Sequence, residues 1–219
     1  MERLDHDDRI DGFIASYFSE QDEFLKELEE EALNTGVPII RRDTQQLLRF
    51  ILAAAKPDKI LEIGTAIGFS AILMAKYTSP DTRIITVEDY EPRIEQAGKN
   101  IESSGYGEKI RLTEGDGASI MAGLNESFDM IFIDAAKAQY PRYFEEAKRL
   151  LSTGGLLVAD NCLQGGEIVE SKFAVTRRNR TIHKRMREFL LEISRSKEFV
   201  TTILPIGDGV VLAVKQDNI

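Results

Sequence analysis

The sequence predicts a doubly wound α/β fold, with a seven-stranded, mostly parallel sheet, a terminal antiparallel strand and N-terminal helices. Three observations carry that expectation. From residue 59 onward, short apolar runs alternate with amphipathic stretches of helical length, the pattern of strands covered on both faces by helices. The first run leads into a glycine turn, and later ones end in acids. The last two runs are separated only by Pro205-Ile206-Gly207-Asp208, too short a link for a parallel crossover, so an antiparallel hairpin is expected. The 219 residues fit one domain, with residues 1–56 as a helical extension.

Each element has its own signal. Ser19 is placed to cap a helix through Phe24, Leu25, Leu28 and Leu33, and Gly36 stops it. Val37-Pro38-Ile39-Ile40 breaks the pattern. Asp43 or Thr44 starts a second helix, with Leu47, Leu48, Ile51 and Leu52 as its apolar stripe and Pro57-Asp58 as its end. Parallel strands are expected over 59–63, 83–88, 110–114, 128–134 and 155–160, and helices over 70–77, 91–104 and 140–151. A long helix over 180–197 precedes the hairpin strands 199–204 and 209–215.

Composition excludes several classes. At 42% hydrophobic and 30% charged, the chain has the make-up of a globular protein with a sizeable core. No apolar run reaches the roughly 18 residues of a membrane span. Residues Met1-Glu2-Arg3-Leu4-Asp5-His6 lack the basic start and apolar stretch of a signal peptide. The single cysteine, Cys162, cannot form an internal disulfide. These features together predict a cytoplasmic protein with no membrane partner. Two histidines and one cysteine are too few for a zinc site of the usual kind, so any metal is held by oxygen. A net charge of −9 argues against broad nucleic-acid binding but leaves room for a local basic patch.

The glycine turn reads Leu61-Glu62-Ile63-Gly64-Thr65-Ala66-Ile67-Gly68, with Ser70 in the helix that follows. In such a fold ligands bind at the carboxyl ends of strands, near the point where strand order reverses. The spacing is not that of dinucleotide binders, and no lysine follows Gly68, so this is no phosphate-binding P-loop. Glu88 ends the next strand, where a carboxylate can accept both hydroxyls of a ribose. Glu114-Gly115-Asp116-Gly117-Ala118 ends the strand after it, and its acid and small residues could border an adenine. The loop alone also fits a plain glycine turn. The two strand-end acids shift the reading toward a nucleoside-bearing ligand.

Two further strands end in Asp134, followed by Ala135-Ala136-Lys137, and in Asp160, followed by Asn161. On neighbouring parallel strands, Asp134, Asp160 and Asn161 would converge. Three oxygen side chains with open positions suit Mg²⁺, and less well Mn²⁺ or Ca²⁺. Lys137 beside such an ion would have its ammonium form disfavoured and could act as a base. Strand-end acids that cap turns, and an ordinary surface lysine, are the plainer alternatives.

These segments, with Pro205-Ile206-Gly207-Asp208-Gly209, resemble the cation-dependent O-methyltransferases, a family that includes catechol and caffeoyl-CoA O-methyltransferases. The resemblance runs from about residue 35 to 216. It implies a class I methyltransferase, Rossmann-like fold and S-adenosylmethionine as cofactor. Cofactor contacts are implied at Ile40, Gly64, Ser70, Glu88, Gly115, Asp116 and Asp134, with Glu62 and Gly68 flanking the loop. Metal ligands are implied at Asp134, Asp160 and Asn161, the catalytic base at Lys137 beside Asp134, and a homodimer as the assembly. One departure stands out. The tryptophan that often follows Asp-Asn in phenolic enzymes is missing, and the run here is Asn161-Cys162-Leu163-Gln164-Gly165.

Between Ser171 and Arg187 lie seven basic residues and no acid, which leaves −16 on the rest of a chain whose total is −9. Such asymmetry predicts a polyanion site. Pairing with acidic helices, a solvated helix face and a coenzyme A tail are the alternatives. A bacterial branch of the family, the tRNA 5-hydroxyuridine O-methyltransferases, resembles the chain further. It shares Val37-Pro38-Ile39, Ile67, the run from Phe132 to Lys137 followed by Gln139-Tyr140, and the arginine-rich stretch. That resemblance implies a tRNA anticodon loop as substrate, with Arg177, Arg178, Arg180 and Lys184 as phosphate contacts. Tyr140 would stack on a base or pack on its own helix. A small catechol-like phenol is the alternative acceptor, and a non-catalytic RNA-binding module the alternative class.

Overall fold

The computed structural model describes residues 8–217. The N-terminal residues read above for a leader, Met1 to His6, lie outside the described residues. The sheet has the order β3-β2-β1-β4-β5-β7-β6. Its strands are β1 (Lys59–Ile63), β2 (Arg83–Glu88), β3 (Ile110–Glu114), β4 (Phe128–Ile133), β5 (Leu151–Ala159), β6 (Phe199–Leu204) and β7 (Val210–Lys215). β7 runs antiparallel to both its neighbours, and the other described ladders are parallel. The expected hairpin therefore closes the sheet with its second strand on the inside. Strand order reverses between β1 and β4, so their carboxyl ends flank the switch point.

Alternation along the strands makes two cores, because successive side chains point to opposite faces. Leu61, Ile63, Ile131, Ile133, Leu157 and Ala159 pack on one face. They meet α6 (Gly117–Gly123), α7 (Tyr140–Leu150) and α8 (Arg180–Arg195). Ile60, Met130, Phe132 and Val158 pack on the other. There they meet α2 (Glu23–Thr35), α3 (Arg42–Ala55), α4 (Phe69–Lys76) and α5 (Glu91–Ser103). α4 is buried on every side from Phe69 to Ala75, wedged between the sheet and α2 and α3. A helix α1 (Asp8–Ala15) leads the described chain.

Several boundaries differ from the sequence reading. Asp22, not Ser19, caps α2, accepting from the Leu25 amide at 3.4 Å. Its carboxylate also holds Lys76 at 2.7 Å. Leu33 is 73% exposed, and Ala32 takes the core position instead. α6 was not expected, because seven residues rich in Gly, Ala and Ser give almost no periodic signal. β5 starts four residues early, at Leu151. Among the described residues no helix is long and apolar enough to cross a membrane.

Candidate active site

The glycine turn is fastened between strands. The amides of Gly64 and Thr65 both donate to the Val87 carbonyl, at 3.0 and 3.2 Å. Gly64 has φ +102°, and a Cβ there would stand 2.8 Å from the Asp134 carbonyl carbon and closer still to its oxygen. Its side-chain-free face thus lets the end of β1 lie against the end of β4. Gly68 has φ +88° and its missing Cβ faces Ile101 and Ala97 of α5. It serves helix packing and does not line the cavity described below, unlike the cofactor contact expected of it.

Glu88 is buried at the end of β2. Its Oε2 accepts from the Ala66 amide at 2.8 Å, and its Oε1 from the amides of Asp89 and Tyr90 at 3.2 and 3.1 Å. A carboxylate offers about four lone-pair sites, so this anchored group, already accepting three bonds, keeps one site for a further donor. Glu62 pairs with Thr86 across the β1–β2 ladder and accepts from the Thr86 hydroxyl at 2.5 Å. The Thr86 and Thr65 hydroxyls lie 2.5 Å apart, and Thr65 lines the cavity. Glu62 is therefore one hydroxyl relay beneath the cavity floor rather than on it. Burial pushes its carboxyl up to about 7, against the pull of the Ser70 and Thr86 hydroxyls.

This shift has a sign. Below the ordinary value of 4.5 the group is protonated whether folded or unfolded. Between 4.5 and about 7 only the unfolded chain gives up its proton, so stability falls across that window and levels off above it. Glu62→Gln removes this loss, about 3 kcal/mol from the size of the shift. Urea unfolding of both proteins at pH 5 and pH 8 checks it, and an equal pH dependence in the two refutes it.

The edge that carries the candidate metal ligands is set by hydrogen bonds that continue past the strand ends. The Asp134 amide donates to the Ile63 carbonyl at 3.0 Å, and the Asp160 amide to the Ile133 carbonyl at 2.9 Å. Asp134 and Asp160 thereby stand on adjacent strands at one level. Asn161 turns back in the left-handed region, φ +59°. Its Nδ2 donates to Asp134 Oδ1 at 2.6 Å and its amide to Asp160 Oδ1 at 2.7 Å. Burial, then the Asp134 charge, pushes Asp160 up to about 7. Burial also raises Asp134, which the Asn161 amide and the Lys137 ammonium partly offset. Two close carboxylates that each resist ionisation, beside a third oxygen donor, fit a hard divalent cation. The three residues named from sequence are thus brought together.

They share one cavity of about 680 Å³ with Ile40, Gly64, Ser70, Glu88, Gly115 and Lys137. Asp116 caps α6 through the Ser119 amide and hydroxyl, at 2.9 and 2.7 Å, and lies outside the lining. Of the two roles expected of Tyr140, packing is the one observed: it is fully buried and cannot stack on a base. Its ring packs edge-on against Phe189 and its hydroxyl donates to the Asp160 carbonyl at 2.7 Å, bracing the end of β5 from behind. Tyr143, one turn further on, reaches the cavity instead. Tyr90, Arg93, Arg41 and Asp208 also line it and were not read as site residues. Arg41 and Asp208 form an ion pair of 2.9 Å, which only the tertiary fold creates. Arg177, Arg178, Arg180 and Lys184 are exposed and lie outside the lining.

Residues 15–216 match the O-methyltransferase family. The chain belongs to that family. This member is an enzyme of the S-adenosylmethionine-dependent O-methyltransferase class. It is 33% identical, over 74% of its length and 76% of the relative's, to a catechol O-methyltransferase of Niastella koreensis. It is 28% identical, over 90% of its length and 83% of the relative's, to caffeoyl-CoA O-methyltransferase 1 of Eucalyptus globulus. An O-methyltransferase from Bacillus cereus, solved in complex with SAH, superposes with a TM-score of 0.83 at 25% identity. That alignment covers 95% of this chain and 97% of the other. The class I O-methyltransferase fold expected from the sequence is the fold observed.

Proposed function

We propose that this O-methyltransferase moves the methyl group of S-adenosylmethionine to the hydroxyl of 5-hydroxyuridine at the wobble position of tRNA, giving 5-methoxyuridine. One observation carries the choice of acceptor. The segment that leaves the metal edge directly after Asn161 is the one that bears the exposed Arg177, Arg178 and Arg180. A polyanion held there lies along the chain that borders the reacting groups. The homodimer implied by the family is supported by the exposed Leu33 of α2 and Phe50 of α3.

Within the cavity, Glu88 would accept a ribose hydroxyl of the cofactor, while Gly64, Ser70, Ile40 and Gly115 border it. Asp134, Asp160 and Asn161 would hold Mg²⁺, with Mn²⁺ or Ca²⁺ as substitutes. A divalent cation there supplies the positive charge that makes an acceptor hydroxyl more acidic. Lys137, three residues beyond Asp134 and lining the same cavity, would take the hydroxyl proton. The freed oxygen would bond to the methyl carbon that the cofactor supplies, as the carbon–sulfur bond breaks to leave S-adenosylhomocysteine. Holding the two reactants in line accounts for much of such a rate gain.

A small phenol is the second reading, favoured by the catechol and caffeoyl-CoA names of the relatives. Mass spectrometry of nucleosides from tRNA that carries 5-hydroxyuridine, incubated with enzyme, cofactor and Mg²⁺, separates the two. A gain of 5-methoxyuridine that EDTA abolishes is expected, and activity on catechol alone would sink the tRNA assignment. Replacing Arg177, Arg178 and Arg180 by glutamine is expected to lower tRNA methylation at least about tenfold and its salt slope by about two. Methylation of a small phenol should be unchanged.

A further inference from the structure

Residues 162–179 are held at their base and free at their tip. The His183 Nε2 lies 3.0 Å from the Glu170 carbonyl, and the Arg187 guanidinium donates to the Ile168 carbonyl at 3.2 Å. The Asn179 side-chain Nδ2 donates to the Glu167 carboxylate at 2.8 and 3.1 Å. Between these staples the chain makes two turns. The Ala174 amide donates to the Ser171 carbonyl at 2.8 Å, and the Asn179 amide to the Thr176 carbonyl at 3.0 Å. The corner residues are Lys172-Phe173 in the first turn and Arg177-Arg178 in the second. Val175, buried between them, pins the pair of turns to the body.

The corners all face solvent. Phe173 is 80% exposed, and the Lys172 ammonium stands 5.1 Å from its ring centroid. Much of the remaining positive charge is already engaged: Lys184 and Arg185 pair with Glu188, and Arg187 with loop carbonyls. Among the described residues Lys172, Arg177 and Arg178 form no ion pair. A single exposed phenylalanine is ordinary. An exposed ring set on a pinned turn, one turn away from two unpaired arginines, is the arrangement that binds single-stranded nucleic acid.

We propose that Phe173 is a stacking platform for an unpaired base next to the modified nucleotide, with Arg177 and Arg178 on the adjoining phosphates. The inference rests on the tRNA reading above. A bilayer fits less well, since Phe173 and Val169 are the only large apolar side chains exposed on this segment and one ring anchors a membrane weakly.

The chain contains no tryptophan, so Phe173→Trp places a single reporter at the platform. Titrating this variant with an anticodon stem-loop RNA is expected to quench its fluorescence saturably, while a fully paired duplex of equal length changes it little. Phe173→Ala is expected to lower kcat/KM on tRNA by about 5- to 150-fold, with Phe173→Trp restoring it and small-phenol methylation unaffected. Unchanged emission at saturating stem-loop, or Phe173→Ala methylating tRNA as wild type does, overturns the platform. So does a blue shift on anionic vesicles without a response to RNA. Wild-type enzyme inactive on tRNA overturns the acceptor assignment, and the quenching titration then decides the platform separately.

Discussion

Lys137→Met is expected to lower turnover by about 10²- to 10⁴-fold, the usual contribution of a general base, while cofactor binding persists. Lys137 opens the short turn Lys137–Gln139 just beyond β4 and lines the cavity beside Asp134. Glu88, Gly64 and Ser70, the groups proposed to hold the cofactor, come from β1, β2 and α4. Methionine keeps the unbranched stem and its packing but cannot take a proton. A secondary effect follows from charge. The Lys137 ammonium holds the Asp134 carboxyl lower than burial alone would. Without it Asp134 ionises at higher pH, so activation by Mg²⁺ should need a more alkaline buffer. Single-turnover rates with saturating cofactor, together with calorimetry of cofactor binding, test both parts. A rate within about threefold of wild type would remove Lys137 from the chemistry.

The parts legible in the sequence are those fixed by local pattern. Ile60, Leu61 and Ile63 are apolar toward both faces because a central parallel strand has no wet side. Asp134 and Asp160 could be placed at one level because parallel strands bring equivalent ends together. The misreadings share one cause, which is that packing across the chain decides them. Tyr140 and Tyr143 are three residues apart and equally aromatic. The tertiary fold sets the Tyr140 ring against Phe189 of α8, while Tyr143, also buried, borders the cavity. Asp43 was read as a helix start, yet its Oδ2 also accepts from the Gly207 amide at 2.7 Å, 164 residues away. That bond and the Arg41–Asp208 pair tie the N-terminal helices to the final hairpin at the cavity mouth. The expectation of a cofactor contact at Gly68 fails because a sequence shows that a Cβ is missing but not what fills the space, here Ile101 and Ala97.

That distinction between the two loop glycines predicts unequal damage. Gly64→Ala must accommodate a Cβ inside contact distance of the Asp134 backbone. The obstacle is not the movable tip of a side chain. The Asp134 amide is itself bonded to the Ile63 carbonyl at 3.0 Å, so relief requires β1 and β4 to part at the switch point. The φ of +102° adds strain for any residue with a Cβ. Overpacking and strain together amount to about 3–5 kcal/mol, a fall in Tm of about 10 °C for a chain of this length. Because the displaced backbone carries Asp134, surviving folded protein should bind cofactor at least about 100-fold more weakly. Gly68→Ala places its Cβ 3.4 Å from the movable Ile101 Cγ1 and 3.6 Å from the Ala97 carbonyl oxygen, so it carries mainly the cost of a positive φ, about 1–2 kcal/mol. Thermal unfolding and cofactor titration of the two variants side by side settle the matter. Gly68→Ala harming cofactor binding more than Gly64→Ala would mean that the ligand approaches the second glycine, and that the first is a turn like any other.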